Sequence, residues 1–343
     1  MRRLAQGRSP PRNGSASTQS NAPRERSRGE AGAKSITIPS LKQAAPYGVI
    51  CWADYIERAQ EDLELSGSGQ RSGTIYLSDS YPLGRTLTLD SHVAIEGTVR
   101  AKHHIGSSHG FHALQYFVGQ SVLKWKKPRE ESNYSNFGAG IHQVHVQSVP
   151  GVSGVSFRGS QQSARINNLV VRGFGPATGL TIGGDTFTVS ALFVDALKGG
   201  DQSGTIVGAP GIRFEGRVYS VPLNNLTVHN CETGLEWNDA HQIRLTNFET
   251  ELTTQPLVST YNSIGVTVRN RCFRHTSEIL EVRRARFPAN YGIELSGMMA
   301  DNSTGRLILE GTEVVTSKAF DFVVEGDRHG LEVHDLRALR RLP

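Results

Sequence analysis

Three carboxylates, Asp195, Glu215 and Glu236, lie in short segments in which apolar and polar residues alternate. The side chains of a β-strand point alternately to its two faces, so each carboxylate is expected on the face opposite its apolar neighbours. If the segments stack as strands, diagonal side chains on neighbouring strands lie roughly 7–8 Å apart. Glu215 and Glu236 then reach the separation of roughly 5–9 Å that the two carboxyl groups of a glycosidase use. The pattern predicts that these three residues are catalytic.

Polar residues on neighbouring segments supply groups that bind sugar hydroxyls. Arg172 and His229 flank Asp195 in the predicted stack, where Asp195 acts as an acid or a base and His229 tunes its pKa. Asp239 lies near a turn, a place where binding groups are often found. We predict that Arg172, His229 and Asp239 contact the substrate.

The same charges also have a structural interpretation, which remains open. Arg213 is expected beside Glu236, and Arg172 beside Asp195. Opposite charges on neighbouring strands stabilise a sheet surface as ordinary ion-pair ladders, without any chemistry. Trp237 alternates with the outward positions, so we interpret it as a core residue rather than as a sugar-stacking platform.

No metal or cofactor site is predicted. The three cysteines, Cys51, Cys231 and Cys272, are far apart and lack the spacing of metal ligands or redox pairs. Four histidines fall within ten residues, but no regular element is expected to fix them, so we interpret this stretch as a loop rather than as a transition-metal site. These histidines are His103, His104, His109 and His112.

The charge of the chain is unevenly distributed. Of 343 residues, 37 are Lys or Arg and 32 are Asp or Glu, giving a formal net charge of +5. The basic excess lies in residues 1–45, so the remainder is nearly neutral and specific nucleic-acid binding is not expected of it. No run approaches the roughly 18–20 apolar residues of a membrane helix, and no apolar export segment precedes Ser35. Localisation is therefore unknown from these features.

The chain divides into three predicted parts. Residues 1–45 form a basic tail. Residues 1–34 are predicted to be disordered, because their few apolar residues follow neither a helical nor a strand periodicity. Residues 46–69 contain an amphipathic helix at 52–65, which is expected to cover the open edge of the first strands. Residues 70–343 form a β-domain with a loop insertion near 98–137.

An internal repeat predicts the fold. A glycine followed by two alternating apolar residues recurs at intervals of 23–32 residues, as in Gly179-Leu180-Thr181-Ile182 and Gly211-Ile212-Arg213-Phe214. A second apolar segment follows each copy, as in Leu192-Phe193-Val194-Asp195. This period is too short for a propeller blade, lacks the helix of a leucine-rich repeat, and suits one rung of a parallel β-solenoid.

The repeat also predicts which residues stack. One inward column contains Leu169, Leu192, Leu226 and Ile243, and a second contains Val171, Val194, Val228 and Leu245. The outward row beside them is predicted to read Gln147, Arg172, Asp195, His229, Thr246, Arg283, Glu310 and His334. Two outward rows of the other strand are predicted as Ser156, Thr181, Arg213, Glu236, Thr267 and Glu294, and as Arg158, Gly183, Glu215, Asn238, Arg269 and Ser296.

The opening segments resemble a known family. Gly73-Thr74-Ile75-Tyr76-Leu77 and Val93-Ala94-Ile95-Glu96-Gly97 are similar to the first rungs of the pectate-lyase-like superfamily, which includes glycoside hydrolase family 28-related proteins, β-1,3-glucanase-like proteins and phage tailspikes. The resemblance implies an all-β fold: a right-handed parallel β-helix (solenoid) with an N-terminal capping α-helix. It covers roughly residues 46–335. The catalytic motifs of polygalacturonases and the clustered aspartates of pectate-lyase calcium sites are missing from the sequence.

The resemblance also implies a function. It favours a carbohydrate-active protein, a polysaccharide hydrolase or lyase that works in a groove on the outer face of the solenoid. The alternative is a non-catalytic, glycan-binding or tailspike-like adhesion or structural protein. The expected partner is a polysaccharide, without a membrane or a cofactor. By the same resemblance, a homotrimer and a secreted or virion-associated location are expected.

Overall fold

A computed structural model of the chain describes residues 34–44, 51–65, 69, 71–97, 109–126, 139–161, 164–197, 207–259, 267–274, 280–283, 294–301, 306–310, 322–325 and 332–334. Beyond residue 258, and at a few earlier positions, only the backbone is described. Residues 1–33, most of the predicted tail, lie outside the described part, as do His103 and His104.

Two short helices and twenty-two strands make up the described chain. The helices are α1 (Leu41–Ala44) and α2 (Trp52–Gln60). The first eleven strands are β1 (Ser35–Ile38), β2 (Glu64–Leu65), β3 (Arg71–Leu77), β4 (Ser80–Leu89), β5 (His92–Glu96), β6 (Gly110–Trp125), β7 (Gly140–Gln147), β8 (Ser153–Gln161), β9 (Arg165–Arg172), β10 (Leu180–Asp185) and β11 (Thr188–Asp195). The remaining strands are β12 (Val207–Tyr219), β13 (Pro222–His229), β14 (Cys231–His241), β15 (Arg244–Glu251), β16 (Gln255–Ser259), β17 (Thr267–Arg274), β18 (Leu280–Arg283), β19 (Glu294–Asp301), β20 (Arg306–Glu310), β21 (Phe322–Glu325) and β22 (Glu332–His334).

The strands pair in two interleaved parallel series. The odd-numbered strands from β1 to β21 pair in order, and the even-numbered strands from β4 to β22 do the same. Each strand therefore pairs with the strand two places further along the chain, which is the topology of a solenoid. Within the described residues, the pairing of β2 with β3 is the antiparallel exception. The predicted parallel β-helix is confirmed.

A left-handed residue divides each odd strand of the middle rungs into two segments. The register skips the residue at this position, and its φ is positive at each of Gln143, Asn168, Ala191, Asn225 and Asn247. Asparagine tolerates this conformation better than most residues, and Asn247 Nδ2 donates a hydrogen bond to Asn225 Oδ1 at 2.9 Å. The chain turns at this stacked corner.

The corners define three stacked surfaces, here named ladders. The first ladder contains the odd-strand segments before the corner, such as 188–190 and 222–224. The second ladder contains the segments after it, such as 193–195 and 227–229. The third ladder contains the even strands, such as β10, β12 and β14. A further left-handed corner separates the third ladder from the first at Thr186, Ser220 and Gln242.

The predicted core columns are correct for three rungs and wrong at the fourth. Leu169, Leu192 and Leu226 stack in register and are buried, as are the valines two residues after each of them. In the next rung the pairs are Leu226 with Phe248 and Val228 with Thr250, instead of Ile243 and Leu245. Ile243 and Leu245 are both buried, but they lie before the corner at Asn247. Apolar residues alternate on both sides of this corner, so alternation alone did not distinguish the two segments.

The same slip moves the outward rows beyond the third rung. Gln147, Arg172, Asp195 and His229 form one row as predicted, but the row continues through Glu251 and Arg274 rather than Thr246 and Arg283. The third-ladder row runs from Glu236 to Val258 rather than to Thr267, which pairs with Arg244 in the first ladder. The other third-ladder row is interrupted by irregular register around Gly183 and Glu215.

The N-terminal boundaries also differ from the prediction. Ser35–Ile38 is strand β1 and pairs with β3, so the ladder begins inside the predicted tail 1–45. The predicted loop near 98–137 contains strand β6, in which His112 pairs with Pro82 and Gln147. Helix α2 ends at Gln60 instead of residue 65, because Glu64 and Leu65 pair with β3.

Helix α2 lies against β4 and supplies hydrogen bonds to its free edge. Glu57 Oε1 accepts from the backbone N–H of Thr88 at 2.7 Å. The Gln60 side chain donates to the carbonyl of Thr88 at 3.0 Å and accepts from the N–H of Asp90 at 2.9 Å. These two side chains satisfy backbone groups that a neighbouring strand would otherwise bind. A covered edge of this kind does not pair with the strands of another molecule. No helix in the described residues is long and apolar enough to cross a membrane.

Replacing Leu226 by Asp buries a carboxylate in the core and is expected to lower the free energy of unfolding by roughly 3 kcal/mol or more. Asn224→Asp adds the same carboxylate to the same strand at a half-buried position and is the matched control. Denaturant unfolding of both variants measures the difference. Equal stability of the two variants would contradict the stacking described above.

Replacing Gln60 by Ala leaves the Thr88 carbonyl and the Asp90 N–H without their side-chain partner, and is expected to cost about 1–3 kcal/mol. Arg58→Ala, an exposed change in the same helix, is the control and should alter stability little. Thermal and denaturant unfolding both report the effect. If the two variants melt alike, α2 does not stabilise the edge of β4.

Candidate functional site

The six residues predicted to bind or cleave a substrate fall into two groups on different ladders. Arg172, Asp195 and His229 lie in one row of the second ladder. The other three lie on the third ladder, on strands β12 and β14; they are Glu215, Glu236 and Asp239. The structure brings the members of each group together, but it does not join the two groups in one row.

The second-ladder group is a buried polar row. Arg172 and Asp195 are each only 1% exposed, although they face away from the apolar core. The Arg172 guanidinium carbon lies 4.8 Å from the centre of the Phe193 ring, which is packed edge-on against His229 at 5.1 Å. Asp195 Oδ1 accepts hydrogen bonds from the Leu197 N–H at 3.0 Å and from the Asn230 side chain at 2.9 Å. This geometry holds Asp195 in place and shields it from solvent.

Burial dominates the electrostatics of this row. It lowers the pKa of Arg172, and Asp195 partly offsets that effect. It lowers the pKa of His145 to about 4, with Arg172 and His112 adding repulsion. Burial, followed by the charge of Asp195, raises the pKa of the Cys231 thiol. His145 and Cys231 are therefore neutral at pH 7, and Arg172 is the register partner of Asp195.

Among the side chains of this row that the structure describes, those of His229 and Glu251 are the most exposed. The His229 and Glu251 side chains are each 20% exposed, and His229 Nε2 lies 3.7 Å from Glu251 Oε2. Thr246 was predicted at the position in the row that Glu251 occupies. An asparagine at the corner itself, as at Asn168, Asn225 and Asn247, was the available signal for the correct register.

The third-ladder group forms a second surface, here named the β12–β14 surface. It comprises Arg213, Glu215, Tyr219, Glu236, Asp239 and His241. Arg213 and Glu236 are direct partners in the register, and two guanidinium nitrogens donate to Glu236 Oε2 at 3.1 and 3.2 Å. The predicted ion-pair ladder is therefore present here. It fixes the direction of the Glu236 side chain.

A β-bulge re-aims Glu215. Phe214 pairs with Trp237 and Arg217 with Asp239, so Glu215 and Gly216 together oppose a single residue of β14. Gly216 has a φ of 74°, the left-handed conformation that glycine adopts without strain. Bulges of this kind occur beside active sites, where they change the direction of a side chain. Glu215 is half-buried and lies diagonal to Glu236.

An aromatic ring and an acid–imidazole pair stand at the far end of the same strands. His241 Nε2 lies 2.8 Å from Asp239 Oδ1, and because a carboxylate only accepts, the imidazole donates this hydrogen bond. The Tyr219 ring lies 6.1 Å from the His241 ring and is 40% exposed. Trp237, by contrast, is 1% exposed and belongs to the core, as predicted. Tyr219 was missed because it lies outside the repeat motif.

The β12–β14 surface is therefore able to do two things. Two carboxylates on adjacent strands provide an acid and a base, and an exposed tyrosine provides an apolar face for a sugar ring.

Within the described residues, no three His, Cys, Asp or Glu side chains are grouped so as to hold a metal ion.

The depressed pKa of His145 makes stability depend on pH. In the unfolded chain this histidine binds a proton below about pH 6.5, whereas in the folded chain it does so only near pH 4. Stability should therefore fall as the pH is lowered from 6.5 to 4, by roughly 3 kcal/mol in total from this group.

Unfolding by denaturant at several pH values should show a weaker dependence in His145→Asn than in the parent. The lowered pKa values of His92 and His142 contribute in the same direction and remain in both proteins. Equal pH dependence of parent and variant would show that His145 titrates normally.

No family model and no curated protein matches this sequence. Among solved structures, the chain is similar to the enzymatically active domain of tailspike protein 2 of bacteriophage CBA120, with 11% identity and a TM-score of 0.41 over 76% of this chain and 42% of that one. It is similar to the DFA-IIIase of Arthrobacter chlorophenolicus A6 in complex with GF2, with 11% identity and a TM-score of 0.44 over 80% and 87%. It is also similar to ORF18 of Geobacillus virus E2, with 10% identity and a TM-score of 0.42 over 86% and 62%. The chain thus spans less than half of the tailspike domain, and the strand pairing itself identifies the protein as a parallel β-helix.

Proposed function

We propose that this chain is a carbohydrate-active β-helix protein that binds a polysaccharide on the β12–β14 surface and hydrolyses it there. The observation that carries the proposal is the placement of Glu215, on a bulge, diagonal to Glu236, which Arg213 holds. Diagonal residues on adjacent strands are spaced roughly 7–8 Å apart along the backbone, which lets their carboxyl groups reach the separation that glycosidases use.

The roles of the two carboxylates follow from their neighbours. Glycoside hydrolysis needs one protonated carboxyl to donate to the leaving oxygen and one ionised carboxylate as base or nucleophile. We assign the role of base or nucleophile to Glu236, which accepts two hydrogen bonds from Arg213. Glu215 is the general acid. Tyr219 and Asp239 bind the sugar units on one side of the cleaved bond, the tyrosine by its ring and the aspartate by its oxygens.

The buried polar row has a supporting role in this proposal. Asp195, at 1% exposure, does not contact a polysaccharide, and neither does Arg172. Asp195 instead holds Asn230, the residue immediately before the start of β14. We therefore assign Asp195 the positioning of β14, and His229, which reaches solvent, a contact at the edge of the substrate path.

A second candidate function is glycan binding without cleavage. It is favoured by the pairing of Glu236 with Arg213 and of Asp239 with His241, since both carboxylates already have a basic partner. An adhesion protein would use the same surface for recognition alone. A homotrimer remains part of either proposal and is measured by light scattering of the purified chain.

Screening against acidic and neutral polysaccharides separates hydrolysis from elimination, because hydrolysis yields new reducing ends and elimination also yields a product that absorbs in the ultraviolet. Glu236→Gln and Glu215→Gln are each expected to reduce turnover roughly 100-fold or more while binding persists. Glu232→Gln, which changes an exposed carboxylate at the start of β14, is the matched control and should retain full turnover.

Three outcomes decide between the candidates. Loss of turnover in both variants, with binding intact, supports hydrolysis. Binding without any new reducing ends in the parent favours the adhesion protein. Full activity in Glu215→Gln and Glu236→Gln removes the catalytic assignment from this surface.

A further inference from the structure

A cleft of about 430 Å³ lies at the N-terminal end of the β-helix, far along the chain from the β12–β14 surface. Its walls are α2, the start of β3, the end of β4 and the residue after β6. This volume is within the range of small-ligand sites. We name it the N-terminal cleft.

The charges that line the N-terminal cleft balance. Four side chains are basic: Arg58, Arg71, Arg85 and Lys126. Four are acidic: Asp54, Glu57, Glu61 and Asp90. A site for an anion or a cation would carry an excess of the opposite charge, because an unbalanced charge attracts the ligand. The equal numbers favour a neutral ligand that offers both donors and acceptors.

Most of these side chains are already fixed. Arg85 donates to both Asp54 and Glu57, and the contact from its Nη1 to Glu57 Oε1 measures 2.9 Å. Lys126 Nζ lies 2.6 Å from Asp90 Oδ1. Arg71 Nη1 donates to the Leu63 carbonyl at 2.8 Å. A polar wall that is held in place loses little conformational entropy when a ligand binds.

An exposed aromatic residue, Tyr116, lies two residues from Val118, which is the register partner of the cleft residue Arg85. Strand β6 makes a detour opposite β4: Leu83 pairs with Ala113 and Leu87 with Leu123, so ten positions on β6 span four on β4. The detour displays Tyr116, which is 73% exposed. A Cβ added to Gly84 would lie 3.4 Å from Tyr116 Cε2, so the ring lies against the backbone next to Arg85.

We propose that the N-terminal cleft and Tyr116 form a second carbohydrate-binding site, specific for a neutral oligosaccharide. Fixed carboxylates and guanidinium groups side by side pair with the hydroxyls of a sugar, each of which donates and accepts. The tyrosine face packs against the apolar face of a pyranose ring. The site is independent of the β12–β14 surface and acts whether or not that surface is catalytic.

The probes are neutral hexaoses of glucose and mannose with different linkages, titrated by calorimetry and by saturation-transfer NMR into Glu236→Gln protein, which should not cleave them. Tyr116→Ala is expected to weaken binding roughly tenfold. Tyr76→Ala removes a tyrosine that is 39% exposed on β3 and is the matched control. Tyr219→Ala reports on the β12–β14 surface separately.

The outcomes distinguish this site from the proposed function. A loss of affinity in Tyr116→Ala but not in Tyr76→Ala supports the site, even if the parent cleaves nothing. Unchanged affinity in Tyr116→Ala, or no binding of any neutral hexaose, overturns it and leaves the β12–β14 surface to be judged by Tyr219→Ala. Preference for an anionic oligosaccharide, weakened by salt and by Lys126→Ala, also overturns it, because a cleft of balanced charge should not select an anion.

Discussion

The structure depends on one constraint: each strand pairs in register with the strand two places further along the chain. At a rung spacing of about 4.8 Å, a side chain stands directly above its counterpart. An inward residue must then match its neighbours in volume, and an outward residue meets the charge of the residue above and below it. The columns of leucine and valine in the core and the row of Arg172, Asp195 and His229 are both results of this register.

The same constraint explains what could be predicted from the sequence. Alternating apolar residues indicate which positions face inward, so the rungs from Leu169 to Leu226 were predicted correctly. Alternation does not mark the corner, because apolar residues alternate before and after it. In the rung of β15, alternating apolar residues occur both before and after Asn247. The predicted column used the residues before it, whereas those after it continue the column. Strand β1 was missed because Ile36 and Ile38 form a single short alternation that lies outside the repeat.

The candidate site was less predictable than the fold. Alternation identified the residues whose side chains point away from the core. The exposure of those side chains depends on how other parts of the chain pack over them. Asp195 and Glu236 have equivalent patterns in sequence, yet one is sealed at 1% exposure and the other is paired with Arg213 at the surface. The bulge at Glu215 and Gly216 and the exposed Tyr219 depend on register shifts that no alternation encodes. The ion pair predicted between Arg213 and Glu236 was nonetheless correct.

The hydrogen bonds from Glu57 and Gln60 to the edge of β4 have a consequence for how the chain is made. Synthesis begins at the N-terminus, so helix α2 and the first rung leave the ribosome before the remaining rungs. A finished first rung presents one satisfied edge and one open edge, and the open edge is a template for the next segment to emerge. Assembly can therefore proceed vectorially, with each new rung added to a surface that already exists, and without waiting for the distant end of the protein.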